Sequence, residues 1–125
     1  EHLKAPADLL QECFRILRPG GVLAVGTGNT ASWTTGVMKG RWEYLSIERH
    51  GGHVSFFNPG SLRLLAERCG FAVMRIETRN VRFLEREDAP KPLYVAAKVA
   101  AEALNLPARL LGKGHDMLAF LRRAG

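Results

Sequence analysis

A short apolar run between glycines constrains the fold of this chain more than any other feature. Residues 22–25 read Val-Leu-Ala-Val, with Gly20 and Gly21 before them and Gly26 after them. Four residues are too few for a helix, and a continuous apolar run of this length is typical of a strand that is buried on both faces. We therefore expect residues 22–25 to form an inner strand of a parallel sheet, with neighbouring strands on both sides.

Predicted helices and strands alternate along the rest of the chain. Apolar residues recur at helical spacing in some segments and alternate in others, and glycine or proline marks most boundaries. The predicted helices are residues 6–18, 59–69 and 93–106, and the predicted strands are residues 22–25, 71–77 and 116–122. This order predicts an α/β fold with about three strands and flanking helices. So small a sheet leaves a strand edge exposed, and we expect homo-oligomers to form through that edge.

Residues 26–57 show no clear period, although they contain six glycines and both tryptophans of the chain. So long an irregular stretch in a compact domain is usually functional. We interpret it as a long insert within a single partial domain, residues 1–125. Residues 26–31 fit the Gly-x-Gly-x-x-Ala pattern of a phosphate-binding loop, but the residues that follow have poor helix character. We therefore interpret these glycines as a sharp turn away from the sheet.

Composition limits the classes of function that the chain can have. It has 125 residues, of which 46% are hydrophobic and 24% charged, as in an ordinary globular protein. No apolar run approaches the ~20 residues that span a bilayer, so we expect no membrane contact. The net charge of +6 suits an anionic partner, but the arginines are dispersed among acidic residues, which argues against nucleic acid. Two isolated cysteines, Cys13 and Cys69, favour a reduced, cytoplasmic protein over a disulfide or zinc framework.

Four motifs occur in an informative order along the chain. They are Glu1-His2-Leu3 before a helix, Leu17-Arg18-Pro19-Gly20-Gly21 before a strand, Trp42, and His53-Val54-Ser55-Phe56-Phe57 followed by Leu62, Leu65 and Gly70-Phe71. Together they resemble the carboxy-terminal half of class I S-adenosylmethionine-dependent methyltransferases of the type 11/12-like group. The resemblance covers residues 1–77, and the remainder fits the same family by the order of its elements.

The resemblance implies the carboxy-terminal part of a Rossmann-like sheet with an antiparallel last strand, and S-adenosyl-L-methionine as the cofactor. The family's glycine-rich cofactor loop and its ribose-binding acid would precede Glu1. The resemblance therefore implies a truncated domain, cut from a longer chain, that binds the cofactor weakly or not at all. The isolated chain is expected to be inactive.

The resemblance also suggests where the chemistry takes place. It places Glu1 and His2 beside the cofactor's sulfonium, where His2 would act as a base or bind the acceptor. The resemblance also implies that the insert, residues 26–57, forms an acceptor loop, and His53 in this loop is the second catalytic candidate. The candidate substrate-binding residues lie after strands or in the insert, where α/β sites form, and are Asn29, Trp42, Tyr44, His53 and Phe57.

Each of these residues also has a structural interpretation. His2 can fix a loop, His53 can be a hydrogen-bonded structural histidine, and the aromatic residues can be ordinary core. One carboxylate and one histidine do not define a metal site, so the sequence predicts no metal.

Two classes of function remain open at this point. The first is methyl transfer to a small-molecule or glycan-type acceptor. The alternative is a non-catalytic basic α/β module that binds an acidic partner or serves in dimerisation.

Overall fold

Five α-helices and three strands are distributed over residues 1–125. The computed structural model describes the backbone of all these residues and every side chain except those of Glu43, Arg49 and His50. The elements are α1 (Pro6–Ile16), β1 (Val22–Gly28), α2 (Trp33–Met38), two 3-10 turns (Lys39–Arg41 and Glu43–Leu45), α3 (Ile47–His50), α4 (Pro59–Arg68), β2 (Phe71–Arg79), α5 (Lys91–Leu110) and β3 (Asp116–Arg123). In this part of the chain no helix combines the length and apolar composition that a bilayer span needs.

The three strands form one sheet in the order β1-β3-β2. β3 runs antiparallel to both neighbours, so β1 and β2 run parallel to each other. This topology confirms the expected α/β sheet of three strands with an antiparallel last strand. Its register places Gly28 beside Asp116, and therefore brings the carboxyl end of β1 next to the start of β3.

Residues 22–25 do form a strand of the sheet, but the expectation that this strand is buried on both faces is wrong within residues 1–125. β1 lies at the edge of the sheet, and the exposure of its residues alternates, with Val22 50% exposed. The reason is that α1 and α4 pack only against the face that carries Leu23 and Val25. The last strand inserts between the first two, so β1 keeps one edge without a strand partner among residues 1–125.

That edge predicts self-association. Unpaired backbone amides and carbonyls along β1 offer hydrogen bonds to a second copy of the chain. Light scattering should detect dimers or larger species at high protein concentration. Val22→Lys should shift the population toward monomer, because a charge on an edge strand opposes pairing. A wild-type chain that stays monomeric at the highest soluble concentration would contradict this expectation.

The main core lies between the sheet and the helices α1 and α4. Its fully or nearly fully buried residues are Leu10, Leu62, Ala66, Cys69, Phe71, Met117, Ala119 and Leu121. The last three alternate along β3, which confirms the face that the sequence predicts for them. Burial also raises the pKa of the Cys69 thiol.

The turn that begins α4 follows directly from the local sequence. Asn58 accepts a hydrogen bond from the Ser61 amide and Ser61 Oγ accepts one from the Asn58 amide, while Pro59 fills the first helical position. Gly70 follows the helix with a φ of 90°, a conformation that favours glycine. This helix was predicted correctly, because all its signals are local.

Two other helices differ from the prediction. Residues 33–38 form α2 despite their poor helix character, because Ser32 Oγ accepts from the Thr35 amide and the Trp33 amide donates to the Lys113 carbonyl. α5 does not stop at residue 106 but continues through Pro107 to Leu110. The helix carries on for one turn because the Leu111 amide donates to the Pro107 carbonyl.

An acidic residue ties α5 to the sheet. Glu77 in β2 is almost buried and lies 2.8 Å from Arg75, 2.9 Å from Arg79 and 3.8 Å from Arg109 of α5. The hydrogen bond from Arg79, reinforced by the three positive charges, lowers the pKa of Glu77. Part of the chain's basic charge is thus neutralised within the fold.

Candidate functional site

Residues 1–3 are fixed beside the carboxyl end of β1 by the segment that ends the insert. The Glu1 carbonyl accepts hydrogen bonds from the Val54 and Ser55 amides, and Ser55 Oγ donates to the Leu3 carbonyl. Residues that are fifty positions apart in sequence therefore lie side by side. This pairing brings two predicted catalytic histidines, His2 and His53, together.

Glu1, His2 and His53 form the centre of the cluster. His53 Nε2 lies 3.7 Å from Glu1 Oε1, and the centres of the two imidazole rings lie 4.4 Å apart. The other carboxylate oxygen of Glu1 accepts a hydrogen bond from the Thr27 hydroxyl. The His53 side chain is 2% exposed, whereas His2 is exposed.

The tautomer of His53 follows from its backbone partner. His53 Nδ1 lies 2.7 Å from the Tyr44 carbonyl oxygen, which can only accept a hydrogen bond. In the neutral ring the proton must therefore be on Nδ1, and the lone pair must be on Nε2. In this tautomer the Nε2 lone pair of His53 and the Oε1 atom of Glu1 face each other.

Aromatic side chains form one wall of the cluster. Tyr44 stacks against Trp42 and against His53, with ring centres 4.9 Å apart in both cases. Trp42 is 3% exposed and its Nε1 donates to His115 Nδ1 over 3.1 Å. Phe56 lies further out, 6.3 Å from the Trp42 ring. The wall shields one side of the cluster from water.

A glycine of β1 makes room for this wall. A Cβ atom on Gly28 would lie only 3.0 to 3.1 Å from three atoms of the Tyr44 ring. The glycine is therefore required by the close approach of Tyr44. This agrees with our interpretation that residues 26–31 are not a phosphate-binding loop.

The backbone amides of the same segment support that conclusion. The amides of residues 29–33 all donate hydrogen bonds within the chain. A phosphate-binding loop would need several of these amides to point at a ligand. None of them is available.

A shallow cavity of about 360 Å³ opens beside the cluster. Glu1, Thr27, Tyr44 and Asp116 contribute to its lining, together with Arg79 and neighbouring backbone. The Tyr44 hydroxyl lies 3.4 Å from Asp116 Oδ1, and Asn80 donates to the other oxygen of Asp116. The lining thus combines two carboxylates, Glu1 and Asp116, with the Arg79 guanidinium and the Tyr44 ring, and Met117 and Leu118 add apolar surface on the side of β3.

Two predicted substrate-binding residues lie outside the cluster. Asn29 is fully buried, and its side chain donates to the Gly112 and Gly114 carbonyls and accepts from the Ala31 amide. Phe57 packs against the main core. In the structure these two residues hold the fold together and offer no exposed polar atom to an acceptor.

The other five predicted residues are brought together: Glu1, His2, Trp42, Tyr44 and His53. Sequence reasoning missed Thr27, His115 and Asp116. His115 and Asp116 come from the start of β3, and only the strand register places them beside β1. The side chain of His50, the other histidine of the insert, lies outside the described side chains.

The residues present fit one part of S-adenosylmethionine and not the rest. The Glu1 carboxylate suits the cofactor's sulfonium cation. The cofactor's adenosine and its own carboxylate group need a glycine-rich turn with available backbone amides, and its ribose needs an acidic residue. Residues 26–33 do not provide such a turn, as shown above.

Comparison with known proteins agrees with this geometry. Residues 1–76, more than half of the chain, match the family described as "Methyltransferase domain". A Mycolicibacterium smegmatis protein named as a probable S-adenosylmethionine-dependent methyltransferase is 36% identical over 73 residues, which are 58% of this chain and 25% of that protein.

Solved structures resemble the fold as well. A SAM-dependent methyltransferase from Archaeoglobus fulgidus superposes with a TM-score of 0.57 at 18% identity. The superposition covers 98% of this chain and 55% of the Archaeoglobus fulgidus chain. A methyltransferase structure from Galdieria sulphuraria gives a TM-score of 0.54 at 20% identity, with 98% and 49% coverage. The chain thus spans about a quarter of the length of the sequence relative and about half the length of each structure.

Proposed function

Because this chain belongs to the methyltransferase-domain family, we propose that it supplies the acceptor side of an S-adenosylmethionine-dependent methyl transfer. The supporting observation is the cluster of Glu1, His2 and His53 at the carboxyl end of β1. Open α/β sheets bind their ligands at this end of their strands. The acceptor is a small molecule or a glycan that presents a hydroxyl group.

The cluster suits an acceptor hydroxyl. Methyl transfer is an in-line displacement, so the protein mainly has to align the nucleophile and to receive its proton. His53 Nε2 carries a lone pair, and Glu1 Oε1 beside it stabilises the imidazolium that forms. Tyr44, which itself stacks on Trp42, packs against the His53 ring. The cofactor, when bound, supplies the methyl group on a sulfonium.

We assign the adenosine part of the cofactor to segments of the protein other than these 125 residues. This assignment is supported by the backbone amides of residues 29–33, all of which donate hydrogen bonds within the chain. The isolated chain is therefore expected to be inactive. Its two cysteines are free, which suits a cytoplasmic protein.

A methyl-transfer assay tests this proposal. The protein is taken at its natural length with radiolabelled S-adenosylmethionine and panels of hydroxylated small molecules and glycans. Label should appear in at least one acceptor, and S-adenosylhomocysteine should be produced in equal amount. No turnover with any acceptor, together with no binding of the cofactor at natural length, would contradict the proposal.

The non-catalytic alternative is favoured by a different observation, the net charge of +6. A basic module that recruits nucleic acid should bind DNA or RNA with an affinity that falls steeply as salt rises. Such binding, combined with a lack of methyl transfer, would support the alternative.

A further inference from the structure

We propose that Glu1, His2 and His53 form a binding site for a divalent transition-metal ion. Each residue offers one ligand atom, and these three atoms all lie within 4.8 Å of one another. The sequence predicts no metal, because one carboxylate and one histidine, Glu1 and His2, do not define a metal site. The fold adds the third ligand and thereby changes that expectation.

The supporting hydrogen bonds are those that a metal site needs. Metal-binding histidines usually donate their second ring N–H to a carbonyl or carboxylate, and metal-binding carboxylates are themselves hydrogen-bonded. His53 Nδ1 donates to the Tyr44 carbonyl at 2.7 Å, which directs Nε2 toward Glu1. Thr27 donates to one oxygen of Glu1 and leaves the other oxygen facing His53.

Electrostatics also favours a cation at this position. The Nε2 lone pair and the Glu1 Oε1 atom lie 3.7 Å apart. A cation between these two atoms, either a proton on Nε2 or a metal ion, would make the contact favourable. In a tetrahedral site with bonds of about 2.05 Å the ligand atoms are roughly 3.3 Å apart, so this pair needs only a small contraction. The His2 ligand atom lies within 4.8 Å of the other two and must move closer.

The exposed residue of the three completes the site. His53 is 2% and Glu1 22% exposed in their side chains, while His2 is exposed and can move its ring toward the other two. The pairing of Glu1 with Val54 and Ser55 holds the two segments in place before any ion arrives. Two imidazoles and one carboxylate suit Zn²⁺, Mn²⁺ or Co²⁺ and leave further coordination positions open.

Open positions give the ion a role that deepens the proposed function. An acceptor hydroxyl bound to the ion would lose its proton more easily than a free hydroxyl, and that proton would pass to solvent water. With the ion bound, His53 Nε2 is a ligand and cannot also accept a proton, so the ion would then replace the base role proposed above for His53. This role rests on the proposed function, but the binding of the metal does not.

The test is titration of the untagged chain with the metal alone. Calorimetry with Zn²⁺ and electron paramagnetic resonance with Mn²⁺ should each show one saturable site per chain. His2→Ala and His53→Ala should each weaken binding at least tenfold, and Thr27→Val should weaken it less. Asp8→Asn, which removes a carboxylate in α1 outside the cluster, is the matched control and should leave binding unchanged.

A second measurement needs no variant. Mn²⁺ should selectively broaden the amide resonances of Thr27, His53 and Val54 in the wild-type chain. The inference would be overturned by the absence of saturable binding, by equal binding in both histidine variants while they remain folded, or by broadening centred elsewhere. Methyl transfer that persists in a metal-free protein would remove the ion from the reaction and leave the proposed function intact.

Discussion

Replacing Gly114 by alanine is expected to destabilise the fold by about 3 kcal/mol, a large fraction of the stability of a small domain. A Cβ atom at this position would lie 2.4 Å from the Arg79 amide nitrogen and 2.7 Å from the Arg79 carbonyl oxygen. Both contacts are with backbone, so no side chain can rotate away. The expected loss appears as a lower free energy of unfolding in chemical denaturation.

The clash would also reach the candidate site. The Gly114 amide donates to Thr78, and its carbonyl accepts from Asn29. The next residue, His115, accepts from Trp42 in the aromatic wall. A displaced strand start would therefore disturb the wall as well as the sheet.

Gly36→Ala is the matched control for this prediction. Gly36 lies in α2, and a Cβ atom there would meet nothing within 4 Å. Alanine is a better helix former than glycine, so this variant should be as stable as the wild type or up to about 1 kcal/mol more stable. Equal stability of the two variants would contradict the packing described here.

The second large effect is expected at His53. In the protein at natural length, His53→Gln should lower kcat/KM for methyl transfer by about a hundredfold or more. Glutamine can donate to the Tyr44 carbonyl, but it has no basic nitrogen to face Glu1. Steady-state kinetics with the acceptor found in the transfer assay measures the effect.

A control separates this loss from unfolding. Glu12→Gln changes an exposed carboxylate of α1 that pairs with Arg15 and is not part of the cluster. It should leave kcat/KM unchanged. A folded His53→Gln variant with the activity of the wild type would contradict a catalytic role for His53.

The parts of the fold that the sequence predicts correctly depend on local signals. The Asn58 cap, the turn at Gly70 and the alternation in β3 each lie within a few residues of chain. The position of β1 at the sheet edge does not depend on a local signal. A short apolar run looks the same in sequence whether one face or both faces of the strand are covered. α2 was missed because its residues have poor helix character, and beyond the Ser32 cap its first amide is held by the distant Lys113 carbonyl.

The candidate site shows the same division. Glu1, His2 and His53 were proposed from a resemblance between motifs, and the hydrogen bonds of Glu1 with Val54 and Ser55 bring them together. His115 and Asp116 carry no motif, and their place beside β1 depends on the register of β3. Asn29 was proposed as a ligand because it follows a strand, but its amide fits the carbonyls of Gly112 and Gly114.

The central claim is that this chain carries the acceptor side of the site and lacks the adenosine side. Calorimetric titration of the 125-residue chain with S-adenosylmethionine tests that claim most directly. We predict no heat of binding at micromolar cofactor, and saturable binding once the chain is extended to the natural length of the protein. Micromolar affinity in the 125-residue chain alone would contradict the account.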